Sequence, residues 1–87
     1  MNDEYILYHN LKELDLHGLN RYEAAIALEG FILEQYKLGT KYISIIHGKT
    51  SGIIKKTTYI ILKKNKHVKD FKINLFNSGQ TIAELQK

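Results

Sequence analysis

Between Leu11 and His17 apolar and polar residues alternate. Leu14 and Leu16 fall on one side and Asp15 and His17 on the other, the signature of a half-buried strand. From Arg21 to Leu38 the spacing changes: Ala24, Leu28, Phe31, Ile32 and Tyr36 form one helical stripe, with Glu29, Glu34 and Lys37 off it. Asn20 precedes this segment and Glu23 stands three residues later, a capping-box pair, and Gly39 supplies the stop. Tyr42 to His47 is apolar at nearly every position, as a central strand covered on both faces would be. Ile53 to Lys64 contains Thr57-Thr58-Tyr59-Ile60-Ile61, which local propensity favours as strand. Its length, Ser51 as a cap ahead of it and the stripe Ile54, Thr58, Ile61, Leu62 predict an amphipathic helix instead. The last segment reads as a hairpin, with Phe71, Ile73 and Leu75 alternating, Asn77-Ser78-Gly79-Gln80 turning the chain and Thr81 to Leu85 returning.

The resulting order, β-α-β-α-β-β, predicts an α+β two-layer sandwich: two helices on a four-stranded mixed sheet, the first two strands parallel. Residues 11–87 form the domain and residues 1–10 an N-terminal extension. With 87 residues and 44% hydrophobic content the chain has material for one small core. The absence of cysteine excludes a thiolate nucleophile, a cysteine-based zinc site and a disulfide framework. No apolar run approaches the roughly 20 residues that span a bilayer, and Met1-Asn2-Asp3-Glu4 is acidic where a signal peptide is basic. The expectation is a cytoplasmic protein without membrane contact, a monomer being favoured over an oligomer.

Two strand-like runs end in the same dipeptide, Leu14-Asp15-Leu16-His17-Gly18 and Ile45-Ile46-His47-Gly48-Lys49. Both histidines should therefore emerge at one sheet edge, where Asp15, His17, His47 and Lys49 combine a carboxylate, two imidazoles and a cation suited to phosphodiester cleavage. His17 is the preferred base and Asp15 orients its imidazole or polarises the nucleophile. His47 is the acid or a phosphate-binding donor, and Lys49 neutralises charge developing on phosphorus. No cofactor is required, because in RNA the 2′-hydroxyl can serve as nucleophile. A divalent metal held by Asp15, His17 and His47 is the alternative route.

The net charge of +4 hides an asymmetry. Residues 1–36 carry seven acidic side chains against two basic ones, leaving −5, whereas residues 37–87 carry eleven lysines against Asp70 and Glu84, leaving +9. A basic half of this kind suits a polyanion such as DNA or RNA. Gly18, Gly48, Lys49, Ser51, Lys55 and Lys56, which cluster around the two His-Gly dipeptides, are the candidate nucleic-acid contacts. Tyr5, Tyr8, Tyr42 and Tyr59 are of a type that stacks on bases or fills a core, while His9 and His67 fall outside the motifs.

Leu14-Asp15-Leu16-His17-Gly18-Leu19, Glu23-Ala24, Ile45-Ile46-His47-Gly48-Lys49 with Gly52, and Thr81-Ile82 with Glu84-Leu85 resemble, in that order, the Smr (small MutS-related) domain. The resemblance covers roughly residues 11–86. It implies a sandwich similar to the C-terminal domain of the third translation initiation factor. It also implies endonuclease activity, nicking DNA or cleaving RNA, which some free-standing members direct at messenger RNA on stalled ribosomes. A non-catalytic nucleic-acid or ribosome-binding adaptor is the alternative. Two departures stand out: Thr50 occupies a position where the family commonly has glycine, and only Gly79 represents the glycines that precede the last strand.

Overall fold

The computed structural model describes residues 11–50 and 52–87; the extension 1–10, with Tyr5, Tyr8 and His9, and the candidate cap and contact Ser51 lie outside them. The six expected elements are present: β1 (Lys12–Asp15), α1 (Arg21–Lys37), β2 (Tyr42–Ile46), α2 (Gly52–Lys64), β3 (Val68–Asn74) and β4 (Asn77–Leu85). The strands form a single sheet in the order β1-β2-β4-β3, with β1 and β2 parallel and the remaining pairs antiparallel. This is the mixed α+β sheet that the sequence pattern predicts. Among the described residues no helix is long and apolar enough to cross a membrane.

α1 begins where the capping box places it. Asn20 Oδ1 accepts the Glu23 amide at 2.9 Å, and Glu23 Oε1 accepts the Asn20 amide at 3.0 Å, so two orphan donors of the first turn are satisfied reciprocally. It ends at Gly39, whose φ of +78° lies in the left-handed region that favours glycine. α2 forms across the β-branched run: Ile54, Thr58 and Leu62 are buried, and the Thr58 hydroxyl bonds back to the Ile54 carbonyl at 2.9 Å. Tertiary burial of that stripe overrides the local strand preference.

Both helices pack on one face of the sheet. The core joins Ala24, Leu28 and Ile32 of α1 and Ile54 and Leu62 of α2 to Leu16, Ile43, Ile45, Ala83 and Leu85. At roughly 1.5–3 kcal/mol for each large aliphatic side chain fully withdrawn from water, this cluster is the main source of stability. Gln35, an unexpected member of the buried stripe, is retained because its side chain accepts from the Thr40 hydroxyl at 2.7 Å. On the opposite face Tyr42, Ile82 and Leu11 form a small separate cluster.

One expected boundary is corrected. The hairpin turn is not at residues 77–80: Asn74 pairs with Asn77, which leaves Leu75 and Phe76 as the turn. Residues 77–80 belong to β4, where the pairing register shifts between Ile73 and Asn74. The turn-forming residues Asn77 and Gly79 are used, but in an irregularity inside the strand, where Asn77 Oδ1 accepts the Gly79 amide at 3.0 Å. Leu75, expected to alternate inward with Phe71 and Ile73, is exposed instead.

The capping box is a direct test of how much the α1 start contributes. Asn20→Ala should lower the unfolding free energy by about 1 kcal/mol, measured by chemical denaturation with an unchanged m-value. An unaltered midpoint would show that core packing alone fixes the helix.

Candidate active site

The parallel register of β1 and β2 builds the site. Asp15 pairs with Ile46, and the Leu16 amide donates to the Ile46 carbonyl at 2.7 Å, so both strands end at the same edge. Asp15-Leu16-His17-Gly18 and Ile46-His47-Gly48-Lys49 leave the sheet side by side. Gly18 and Gly48 have φ of +84° and +89°, and at both the chain turns away from its strand in a conformation costly for any residue with a Cβ.

β4 closes the second turn. The Gly79 carbonyl accepts both the His47 amide, at 2.9 Å, and the Gly48 amide, at 3.1 Å. A Cβ at Gly79 would lie 3.1 Å from the Gly48 carbonyl carbon, from Lys49 N and from Lys49 Cγ. Residue 79 must therefore be small for the backbone of β4 to approach Gly48 and Lys49. Sequence reasoning read Gly79 only as a turn glycine; the signal available was its count as the sole glycine ahead of the last strand.

The backbones converge, but the side chains divide between the faces. Asp15 and Ile46 are register partners and share a face, so His47, the next residue, turns to the other one. His47 is 1% exposed on the helix side, its ring edge-on to Tyr59 of α2 with centroids 6.1 Å apart. Its Nδ1 lies 3.1 Å from the Gly48 carbonyl, which can only accept, so Nδ1 carries the proton and Nε2 accepts from the Thr81 hydroxyl at 2.8 Å. Burial pushes the His47 pKa below the ordinary imidazole value; the bond to the Gly48 carbonyl opposes this, and the Lys55 ammonium adds to it. His47, expected as the acid or a phosphate-binding donor, is thus buried with both ring nitrogens engaged, and it holds the Gly48 turn against β4.

Asp15, His17 and Lys49 are exposed. Asp15 Oδ1 accepts the backbone amide of His17 at 2.8 Å, so the carboxylate orders the turn that carries His17. Gly52 opens α2 just past the second turn; Lys55 lies half-buried with its ammonium 6.0 Å from the Tyr59 ring centre, and Lys56 is exposed. Tyr42 belongs to the opposite-face cluster and His67 stacks on Tyr36 with centroids 4.0 Å apart, which places both in packing roles.

The sheet face away from the helices carries a polar row that sequence reasoning missed. Gln80 Nε2 donates to Ser44 Oγ at 2.6 Å, Ser44 Oγ donates to Glu13 Oε2 at 3.5 Å, and Asn74 Nδ2 donates to Gln80 Oε1 at 2.6 Å, linking all four strands. Asp15 shares this face with Glu13. Ser44, polar in an otherwise apolar strand, was the signal. Among the described residues no three His, Asp or Glu side chains gather closely enough to hold a metal ion. The expected trio Asp15, His17 and His47 does not fit one, since His47 points to the other face with both ring nitrogens occupied.

A family model described as the Smr domain matches residues 14–85. The protein named Endonuclease MutS2 of Geobacillus sp. (strain WCH70) is 39% identical over 82 residues, 91% of this chain, and that of Clostridium acetobutylicum is 34% identical over 78 residues, 86% of it. In both cases the match spans 10% of the longer protein. The crystal structure of the Smr domain of Thermus thermophilus MutS2 superposes with a TM-score of 0.85 at 28% identity, covering 88% of this chain and 100% of that one. YdaL, a stand-alone small MutS-related protein from Escherichia coli, gives a TM-score of 0.81 at 24% identity over 86% of this chain and 64% of its own, a likeness of fold.

The buried imidazole makes stability depend on pH. Because the His47 pKa is lower in the folded than in the unfolded chain, the unfolded chain binds more protons in the intervening window. The associated stability is complete above the unfolded value of about 6.5 and is lost as the pH falls through the folded one. Thermal unfolding between pH 7.5 and 5 should show this decline, and His47→Gln should reduce its slope. Thr81→Val, which removes the buried hydroxyl from Nε2, should cost about 1–3 kcal/mol at neutral pH, with Thr81→Ser costing less.

Proposed function

The chain belongs to the Smr domain family, and on that footing we propose that the edge formed by the ends of β1 and β2 cleaves phosphodiesters in DNA or RNA. The observation that carries this reading is the parallel Asp15 to Ile46 register, which brings the exposed Asp15, His17 and Lys49 to one edge. The relatives named as endonucleases supply the reaction class.

The chemistry follows from what each group presents. His17 is exposed on a turn that Asp15 orders and acts as the base; Lys49, projecting from the turn that His47 and Gly79 hold, places a cation on the non-bridging oxygens where charge develops. On RNA, His17 takes the proton of the 2′-hydroxyl, that oxygen attacks phosphorus, and the 5′ oxygen leaves with a proton from solvent. The products are a 2′,3′-cyclic phosphate and a 5′-hydroxyl. On DNA a water molecule takes the place of the 2′-hydroxyl. Lys55 and Lys56 on the first turns of α2 hold neighbouring phosphates.

Incubation of the chain with end-labelled single-stranded RNA, single-stranded DNA and supercoiled duplex, with analysis of the ends, tests this directly. His17→Gln should slow cleavage by about a hundredfold or more while binding changes by no more than a few-fold. Asp15→Ala, which removes the acceptor that orders the His17 turn, should slow cleavage where Asp15→Asn, which keeps it, slows it less. Lys49→Ala should reduce cleavage more than binding. The double change Lys55→Ala and Lys56→Ala should weaken binding to all sequences alike and flatten its salt dependence. Salt-sensitive binding without any cutting would instead identify an adaptor.

A further inference from the structure

The tip of the β3 to β4 hairpin departs from turn chemistry. A two-residue turn normally takes Asn, Asp or Gly, whose small or locally bonding side chains suit its backbone. Here the two positions are Leu75 and Phe76, 73% and 79% exposed, and neither belongs to either apolar cluster of the described residues. Their exposure has no return in core burial, and a local rule broken without a folding gain marks a functional position.

The tip is held in place. The Phe76 amide donates to Asn74 Oδ1 at 2.9 Å, the Gly79 amide to Asn77 Oδ1 at 3.0 Å, and Asn74 Nδ2 to Gln80 Oε1 at 2.6 Å. An aromatic ring presented on a braced turn loses little conformational freedom when it binds. Its location is equally specific. β4 runs antiparallel to β2, so the hairpin tip lies beyond the end of β2 from which His47, Gly48 and Lys49 emerge. A side chain at Gly79 would meet Lys49, and Phe76 stands three residues before Gly79 at the same end of the sheet.

We infer that Phe76, assisted by Leu75, is a stacking platform for an unpaired nucleobase, so that this edge takes single-stranded or locally opened nucleic acid rather than intact duplex. The inference rests on the reading of the edge as a nucleic-acid site. A cation and an exposed ring at the same end of the sheet meet the two parts of a nucleotide that a free strand offers together, phosphate and base face. Within a duplex both faces of each base are already stacked, and reaching one requires unstacking first. Since every base has a π-face, the platform adds affinity without sequence preference.

The chain contains no tryptophan, so Phe76→Trp creates a single reporter at the tip. Binding of the whole chain is measured to a twelve-residue oligodeoxythymidylate, to the same strand with abasic residues, and to a blunt duplex of equal length. The normal chain should bind the base-bearing strand about tenfold or more tightly than the abasic one. Phe76→Ala should bring the base-bearing strand down to the abasic level while leaving abasic affinity and the thermal unfolding midpoint unchanged. Phe76→Trp should keep the preference, with emission quenched by the base-bearing strand and not by the abasic one. An unaltered preference in Phe76→Ala, equal losses on both strands, or tighter binding of the duplex would overturn the inference. Equal binding of all three by the normal chain would overturn it while leaving the nucleic-acid reading intact, whereas binding of none would overturn both.

Discussion

Everything in this fold depends on β1 and β2 running parallel. Parallel neighbours cannot be joined by a tight turn, so the chain must cross from the end of one strand to the start of the next. α1 is that crossover, and its buried stripe of Ala24, Leu28 and Ile32 covers the sheet it has just crossed. The same geometry forces both strands to end at one edge, which makes the two His-Gly dipeptides neighbours although they lie thirty positions apart in the chain. β4 then enters beside β2 in the opposite direction, and one carbonyl, that of Gly79, secures the second dipeptide through two amides.

The period of two along a strand divides the work at that edge. His47 falls to the helix side, where burial keeps it neutral and Thr81 and the Gly48 carbonyl occupy its nitrogens. Asp15 falls to the other side and faces solvent. Two residues that look equivalent in sequence, each a histidine before a glycine, thus have unlike fates. His17 stands beyond the end of its strand on an exposed turn, whereas His47 continues the alternation of Ile43 and Ile45 into the core.

Local rules hold through most of the chain and give way close to the edge. α2 forms over a run of β-branched residues because three of its side chains are buried against the core, and Asn77 and Gly79 serve a strand irregularity instead of a turn. The Gly79 carbonyl within that irregularity accepts the His47 and Gly48 amides of the second turn. The irregularity also moves the true turn to Leu75 and Phe76, the two residues least suited to one on local grounds.

The sequence by itself determined the order of the elements, the capping of α1, the burial stripes of both helices and the meeting of the two dipeptides at one edge. Each of these follows from spacing within a short window or from the limited ways of joining parallel strands, and both are written locally. Only the tertiary structure decided that His47 is buried, that Gly79 must lack a side chain, that Ser44 and Gln80 belong to a row spanning four strands, and where the hairpin turns. Those properties depend on which strand lies beside which and in what register, and a shift of one residue would exchange the two faces. Register is set by the packing of the whole sheet against both helices, which no segment of the chain contains alone.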